Sequence, residues 1–255
     1  MNGKIKKIIF LIIIISIISI ISCKTEKDSI NVISDDLKPI IVLIERDPWL
    51  MVIGSDSPTF ALYSDGTLIY FNKGKGYFSI KLNKNKLQEY IPDESFKKLD
   101  NSYFSASSTD QPINIILYFE NDDIFSVSVY GDLRSKDDAR KLTPDTFLNV
   151  YDKLIETKNI KGTIWIPDYI EVMIWPYEYS PEEPMKWPSN WPDINNIMTR
   201  KRGNDSYSIY LDSKYYNDFV KLLRSMKEKQ AILINNKKWA VSYRFPFPCE
   251  DIWMR

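Results

Sequence analysis

Few side chains in this sequence can carry chemistry, and their types restrict what that chemistry is. Histidine is absent. That removes the usual general base near neutral pH and the commonest metal ligand. It also removes Ser-His-Asp and Cys-His catalysis and HExxH metalloprotease sites. Cys23 and Cys249 are the only cysteines, so neither a four-cysteine zinc site nor a CxxC redox pair can be built. Carboxylates remain. Glu178, Glu182, Glu183 and Asp193 cluster in sequence and could supply the two acids of a glycosidase. Ser95-Phe96-Lys97-Lys98 matches the spacing of a serine-lysine acylase, but the SDN and KTG partners of that class are missing. No GxSxG or DxDxDG run occurs. The acid pairs at 35–36, 122–123 and 137–138 read as solvated turns, and Arg200-Lys201-Arg202 as an exposed turn. No cofactor and no metal is expected.

One segment is unusual. Residues 175–193 read WPYEYSPEEPMKWPSNWPD and hold three of the seven tryptophans and five of the fourteen prolines. Each proline fixes its own φ and biases the preceding tryptophan toward extended geometry. Such a stretch is neither regular helix nor central strand. It has two readings. Trp175, Tyr177, Tyr179, Trp187 and Trp191, with Glu182 and Glu183 beside them, are the candidate ligand-binding residues of a rigid aromatic platform. Alternatively the tryptophans are anchors that pin a long loop to the core.

The amino terminus carries the most specific signal. Met1 to Lys7 is short and basic, and Ile8 to Ile21 is an uncharged run with ten isoleucines. Ile20-Ile21-Ser22-Cys23 follows. The order is that of a secretory signal peptide. These last four residues resemble the lipobox of bacterial lipoproteins, with isoleucine where leucine is commoner and serine where alanine or glycine is commoner. The resemblance covers only residues 1–23. It implies cleavage before Cys23, a diacylglycerol thioether on its sulfur, and an acyl chain such as palmitate on the new amine. The apolar run of 14 residues would span about 21 Å as a helix, against a hydrocarbon core of about 30 Å. That suits a cleaved leader better than a permanent span. Lys24 follows the cysteine where aspartate would imply retention in an inner membrane, so an outer-membrane or surface site is favoured in a two-membrane cell. With Cys23 lipidated, Cys249 has no partner in the chain. It is either a small buried apolar residue or a reactive thiol.

Around these residues the sequence reads as alternating strands and helices. Residues 24–36 are polar and form an expected tether. Strands are expected at 38–45, 60–63, 68–71, 77–82, 113–120, 124–131, 169–175, 207–211, 231–234 and 239–245. Asp65-Gly66 supplies the turn of the first hairpin. A short helix is expected at 83–91. A second helix is expected behind Thr143-Pro144-Asp145, with Phe147, Val150, Tyr151, Leu154 and Ile155 on one face. A third runs from Asp212 or Ser213 to about Met226. Ser79 to Asn83 and Ser208 to Asp212 echo one another, each a strand leading into a helix. Either two related halves or common strand-to-helix chemistry explains this.

The expected fold is α+β, mainly antiparallel sheet built from hairpins, with a few helices packed on one side. The expected divisions are a leader at 1–22, a lipid-anchored tether at 23–36, and two α+β parts at 37–160 and 161–255 forming one compact unit. Lysine plus arginine equals aspartate plus glutamate at 34 each. Loss of residues 1–22 leaves 31 bases, a net charge of −3. That argues against a nucleic-acid partner. The expected function is that of a cell-envelope lipoprotein with a non-enzymatic domain that binds an envelope protein or glycan. The alternatives are a glycan hydrolase with paired carboxylates and a purely structural lipoprotein.

Overall fold

Two facing sets of alternating apolar residues organise the chain into two sheets. In a computed structural model of the protein, residues 37–49, 56–134 and 138–254 are described. Cys23, the leader and the tether lie outside these residues. The strands are β1 (Pro39–Arg46), β2 (Phe60–Tyr63), β3 (Thr67–Asn72), β4 (Gly76–Lys81), β5 (Ser102–Phe104), β6 (Ile113–Glu120), β7 (Asp123–Tyr130) and β8 (Thr163–Ile164) in the first sheet. Their order is β5-β7-β6-β1-β2-β3-β4-β8. The second sheet holds β9 (Tyr169–Pro176), β10 (Met185–Lys186), β11 (Arg200–Lys201), β12 (Tyr207–Asp212), β13 (Ile232–Ile234) and β14 (Lys237–Arg244). Its order is β10-β13-β14-β9-β12-β11. All described residues belong to one compact unit.

The architecture is α+β, as expected. Both sheets are mixed, which corrects the expectation of hairpin-built antiparallel sheet at their edges. β5 pairs in parallel with β7, and β10 in parallel with β13. These edge strands of two or three residues come in from loops, after long crossovers that parallel pairing requires. The first sheet also reaches past residue 160, because Thr163–Ile164 pairs with β4.

Turn chemistry sets the hairpins. Gly66 adopts φ +83°, and its carbonyl accepts from the Leu82 amide at 2.8 Å. Asn121 takes positive φ between β6 and β7, and Asn235 and Asn236 between β13 and β14, a conformation asparagine tolerates better than most residues. Helix α1 (Lys84–Gln88) opens on Asn83, whose side chain accepts from the Lys86 amide. Helices α2 (Asp138–Lys141) and α3 (Asp145–Glu156) follow β7. Thr143 does not cap α3. Its hydroxyl donates to the Ala139 carbonyl at 2.7 Å and lies 2.9 Å from the Ser105 hydroxyl, so it closes α2 instead. Helix α4 (Tyr216–Ser225) follows a 3-10 turn at Ser213–Tyr215 that Asp212 opens by accepting from the Lys214 amide.

The two faces of the first sheet are covered differently. Ile41, Leu43, Phe60, Leu68 and Ile116 pack with Phe147, Tyr151 and Leu154 of α3. Each such buried side chain is worth roughly 1.5–3 kcal/mol. The reverse face, with Val42, Ala61, Tyr63 and Leu117, is covered by Phe247 and Trp253 of the carboxyl-terminal segment. Helices therefore lie on one face of this sheet and a strap on the other. The second sheet buries Ile170, Val172, Ile174, Ile209 and Leu211 against Phe219 of α4. The 79–83 and 208–212 echoes both fall in strands second from a sheet edge and both lead into a helix. The sheets nevertheless differ in strand number and order. Among the described residues no helix is long and apolar enough to cross a membrane.

Candidate functional site

The Trp-Pro segment lies along the second sheet as a latch. Met185–Lys186 pairs with β13, and the Trp187 amide donates to the Leu233 carbonyl at 3.2 Å. The Trp187 indole donates to the Pro192 carbonyl at 2.9 Å. The two indoles meet edge to face at 5.0 Å between centroids, and both contact Phe219. Trp187 and Trp191 are only 8% and 7% exposed, so they are core residues and not an exposed platform. The physical reason is area: an indole buries more apolar surface than any other side chain can offer at a loop. Trp175 and Tyr177 are half-buried, and Tyr179 is 96% exposed. Glu182 pairs with Lys227 at 2.8 Å, and the exposed Glu183 contributes its carbonyl to Gln230. Asp193 accepts from Asn235 and from the Asn195 amide. None of these acids lines a described cavity.

Cys249 is free and buried. It sits at φ +58°, and its thiol donates to the Leu37 carbonyl at 3.0 Å. Burial pushes this thiol up, and Asp251 adds to the effect. It is packed and buried, as the first of the two readings expects.

The chemistry gathers elsewhere. A cleft of about 330 Å³ opens where the two sheets meet. Glu45 at the end of β1, Asp47, and Asp56-Ser57 ahead of β2 form one wall. Phe71 and Tyr77 of the β3–β4 hairpin, Tyr216 opening α4, and Tyr243-Arg244-Phe245 ending β14 form the other. The aromatic side is preorganised by its own packing. Tyr77 contacts Trp165, Phe245 and Phe247 at 5.5–6.0 Å between centroids. Tyr216 contacts Phe245 at 5.3 Å. Ser57 donates to the Phe245 carbonyl at 3.3 Å and ties the two sides together.

Each charged group in the cleft has its own surroundings. Arg244 is 7% exposed and lies between two carboxylates. It donates to Glu250 at 2.6 and 2.8 Å and lies 2.5 Å from Glu171. Burial works against its charge, but the two carboxylates outweigh it and hold the guanidinium protonated. Glu171 accepts in turn from Ser208 at 2.5 Å. The arginine Nε, buried, has no hydrogen-bond partner. Glu45 accepts from Arg134 Nε at 2.8 Å and from the Tyr151 hydroxyl at 2.7 Å. Burial alone would raise its pKa, yet Arg134 and Tyr151 together hold it below the usual value. Asp56 is the opposite case. Its side chain is 13% exposed, and its nearest cation, Arg46, stands 3.6 Å away and is half in solvent. Burial raises its pKa and Asp47 adds to this, while Arg46, a hydrogen bond from its own backbone amide and Arg244 oppose it. Its Oδ1 is buried without a hydrogen-bond partner among the described residues. Burial also raises Tyr77, and burial with the Tyr243 hydroxyl pushes Tyr216 up to about 12.

Asp56 Oδ1 and Arg244 Nε are thus an acceptor and a donor buried beneath the cleft surface, without a hydrogen-bond partner among the described residues. Unpaired buried groups of this kind cost about 1–3 kcal/mol each. Among the described residues no group of three acids or cysteines could hold a metal ion. Sequence reasoning missed Glu45 and Asp56. One signal was available for Glu45: the period-2 alternation of β1 places it on the same face as Ile41 and Leu43. Comparison with protein-family models, with curated proteins and with solved structures finds no match to this chain.

Proposed function

We propose that the chain is a lipid-anchored envelope protein whose globular unit binds a small polar ligand in the cleft between its sheets. The meeting of Asp47 and Asp56 with the Tyr77, Tyr216 and Tyr243 rings around one cleft is the observation that carries the binding reading. The anchor rests on Ile20-Ile21-Ser22-Cys23 and the basic, apolar stretch before it. Two or three acyl chains, at about 0.8 kcal/mol per buried methylene, hold a protein on a bilayer without a spanning helix. Cys23→Ser abolishes incorporation of labelled palmitate and leaves an unprocessed precursor; normal processing in that variant would contradict the anchor. The ligand is tested by thermal melts of the full chain in detergent with small-molecule extract of the envelope. The extract raises the midpoint of the wild type, because ligand bound only to the native state stabilises it. It leaves the Asp56→Asn chain unmoved. An equal rise in both would place binding elsewhere.

A second reading follows from the same pair of acids. Burial raises Asp56 while Arg134 and Tyr151 hold Glu45 low, and acids pushed apart within one site are the pattern of a proton donor and a standing carboxylate. Asp56 would protonate a leaving oxygen of an envelope glycan and Glu45 would face the developing positive charge. Glu45 is already held by Arg134 and Tyr151, which leaves little of it for a substrate and places this reading second. Release of reducing ends from cell-wall glycan by the wild type, lost in Asp56→Asn, would move it first.

A further inference from the structure

The cleft has a neighbour of opposite charge. A cavity of about 460 Å³ is lined by Lys73, Arg134 and Lys158, with Tyr70 and Asn72, and has no acid among the described residues that line it. The two cavities adjoin: Phe71 lines both, and Glu45 of the cleft accepts from Arg134 of the cavity at 2.8 Å. Most charge at the divide is already committed. Glu45 and Arg134 neutralise one another, and Glu171 and Glu250 together outweigh Arg244 by one negative charge. The residual charge is negative in the cleft: Asp56 has only the half-solvated Arg46 at 3.6 Å, Asp47 beside it is exposed, and Glu171 with Glu250 exceeds Arg244 by one charge. It is positive in the cavity, on Lys73 and Lys158, neither of which has an ion pair among the described residues. The Glu45–Arg134 pair runs the same way, with its negative end toward the cleft and its positive end toward the cavity. A dipolar ligand lying beside that pair has each end facing residual charge of opposite sign. On the cleft side Tyr77, Tyr216 and Tyr243 offer ring faces and edges that suit an organic cation.

Resting on the binding reading above, we infer that the ligand is a small zwitterion. Its cationic group sits with Asp56 and the tyrosines of the cleft, and its anionic group with Lys73 and Lys158 of the adjoining cavity. Together the two spaces fall in the usual range for small-molecule sites. Such a zwitterion is available free or as the headgroup of a membrane lipid, and both present the same charges.

Calorimetric titration of the full chain in non-ionic detergent tests this with three probes: phosphocholine, choline and inorganic phosphate. Phosphocholine is expected to bind about tenfold or more tighter than choline, and phosphate alone to bind least. Lys73→Ala with Lys158→Ala erases the advantage of phosphocholine over choline. Asp56→Asn weakens both. Phosphatidylcholine vesicles that compete with phosphocholine identify the headgroup as the source; vesicles that do not compete identify the free zwitterion. Choline binding as tightly as phosphocholine overturns the zwitterion and leaves the binding cleft standing. An advantage that survives the double lysine change also overturns it. Failure of all three probes on folded protein overturns the zwitterion, while the envelope-extract melts still decide the cleft.

Discussion

Asp56 and Glu45 lie in one cleft with opposite electrostatic balances, and that difference has consequences for stability. Burial raises the Asp56 pKa above its ordinary 3.8. The folded state therefore holds that proton more tightly than the unfolded state. The stability this gives is full below the unfolded value and is lost as pH rises through the folded one. Asp56→Asn removes the loss and is expected to stabilise the protein at pH 7 by about 1 kcal/mol, with a smaller gain at pH 3. Urea melts at the two pH values check this, and a less stable variant at pH 7 would contradict it. Glu45 runs the other way. Its folded value lies below 4.5, so its contribution is present above 4.5 and lost as pH falls through the folded value. Glu45→Gln is expected to cost about 2 kcal/mol at pH 7, and the gap to wild type closes as the solution is acidified. A gap that widens in acid would refute the pairing with Arg134. The alternation of β1 made Glu45 legible as an acid on a core-facing position. Asp56 was not legible, because the cleft it lines is assembled from residues far away in sequence, Tyr77 and Phe245 among them.

At the level of elements, turn residues were the most readable part of the sequence. Asp65-Gly66 and Asn235-Asn236 sit where the strands reverse, and Asn83 and Asp212 open their helical turns. A Cβ on Gly66 would stand 2.3 Å from the Leu82 carbonyl oxygen, at φ +83°. Gly66→Ala is therefore expected to lower stability by roughly 1–3 kcal/mol, measured by the same melts; an unchanged midpoint would mean the hairpin end relaxes freely. The short edge strands β5, β10 and β11 were not readable, since two or three residues carry no periodicity. Thr143 misled because a capping sequence stood ahead of a helix, while its hydroxyl serves the preceding one. The Trp-Pro segment was readable as a rigid irregular stretch, and its two buried indoles decide between platform and latch. Trp187→Ala and Trp191→Ala are each expected to cost about 3–5 kcal/mol. Full stability in either would return that indole to the surface role.

On the scale of the whole molecule, the α+β class followed from hairpins and amphipathic helices, each visible within a few dozen residues. The division into two sheets did not follow, because it is made by long-range contacts. Tyr77 and Trp165 pack against the cores of both sheets. The carboxyl-terminal segment closes the first sheet through Phe247 and through the Tyr63 hydroxyl, which donates to the Pro248 carbonyl at 3.0 Å. The cleft exists only because those contacts bring the end of β1 to the end of β14. The proposed assembly is then a membrane-tethered unit with a net charge of −3 after processing and a ligand cleft at its sheet junction. The most direct measurement is mass spectrometry of the small molecules that co-purify with the full chain in mild detergent from its own envelope. Wild type and Asp56→Asn chains of equal folded content are compared. A small molecule retained by the wild type and missing from the variant is the predicted result. The same small-molecule content in both would contradict a ligand held at Asp56.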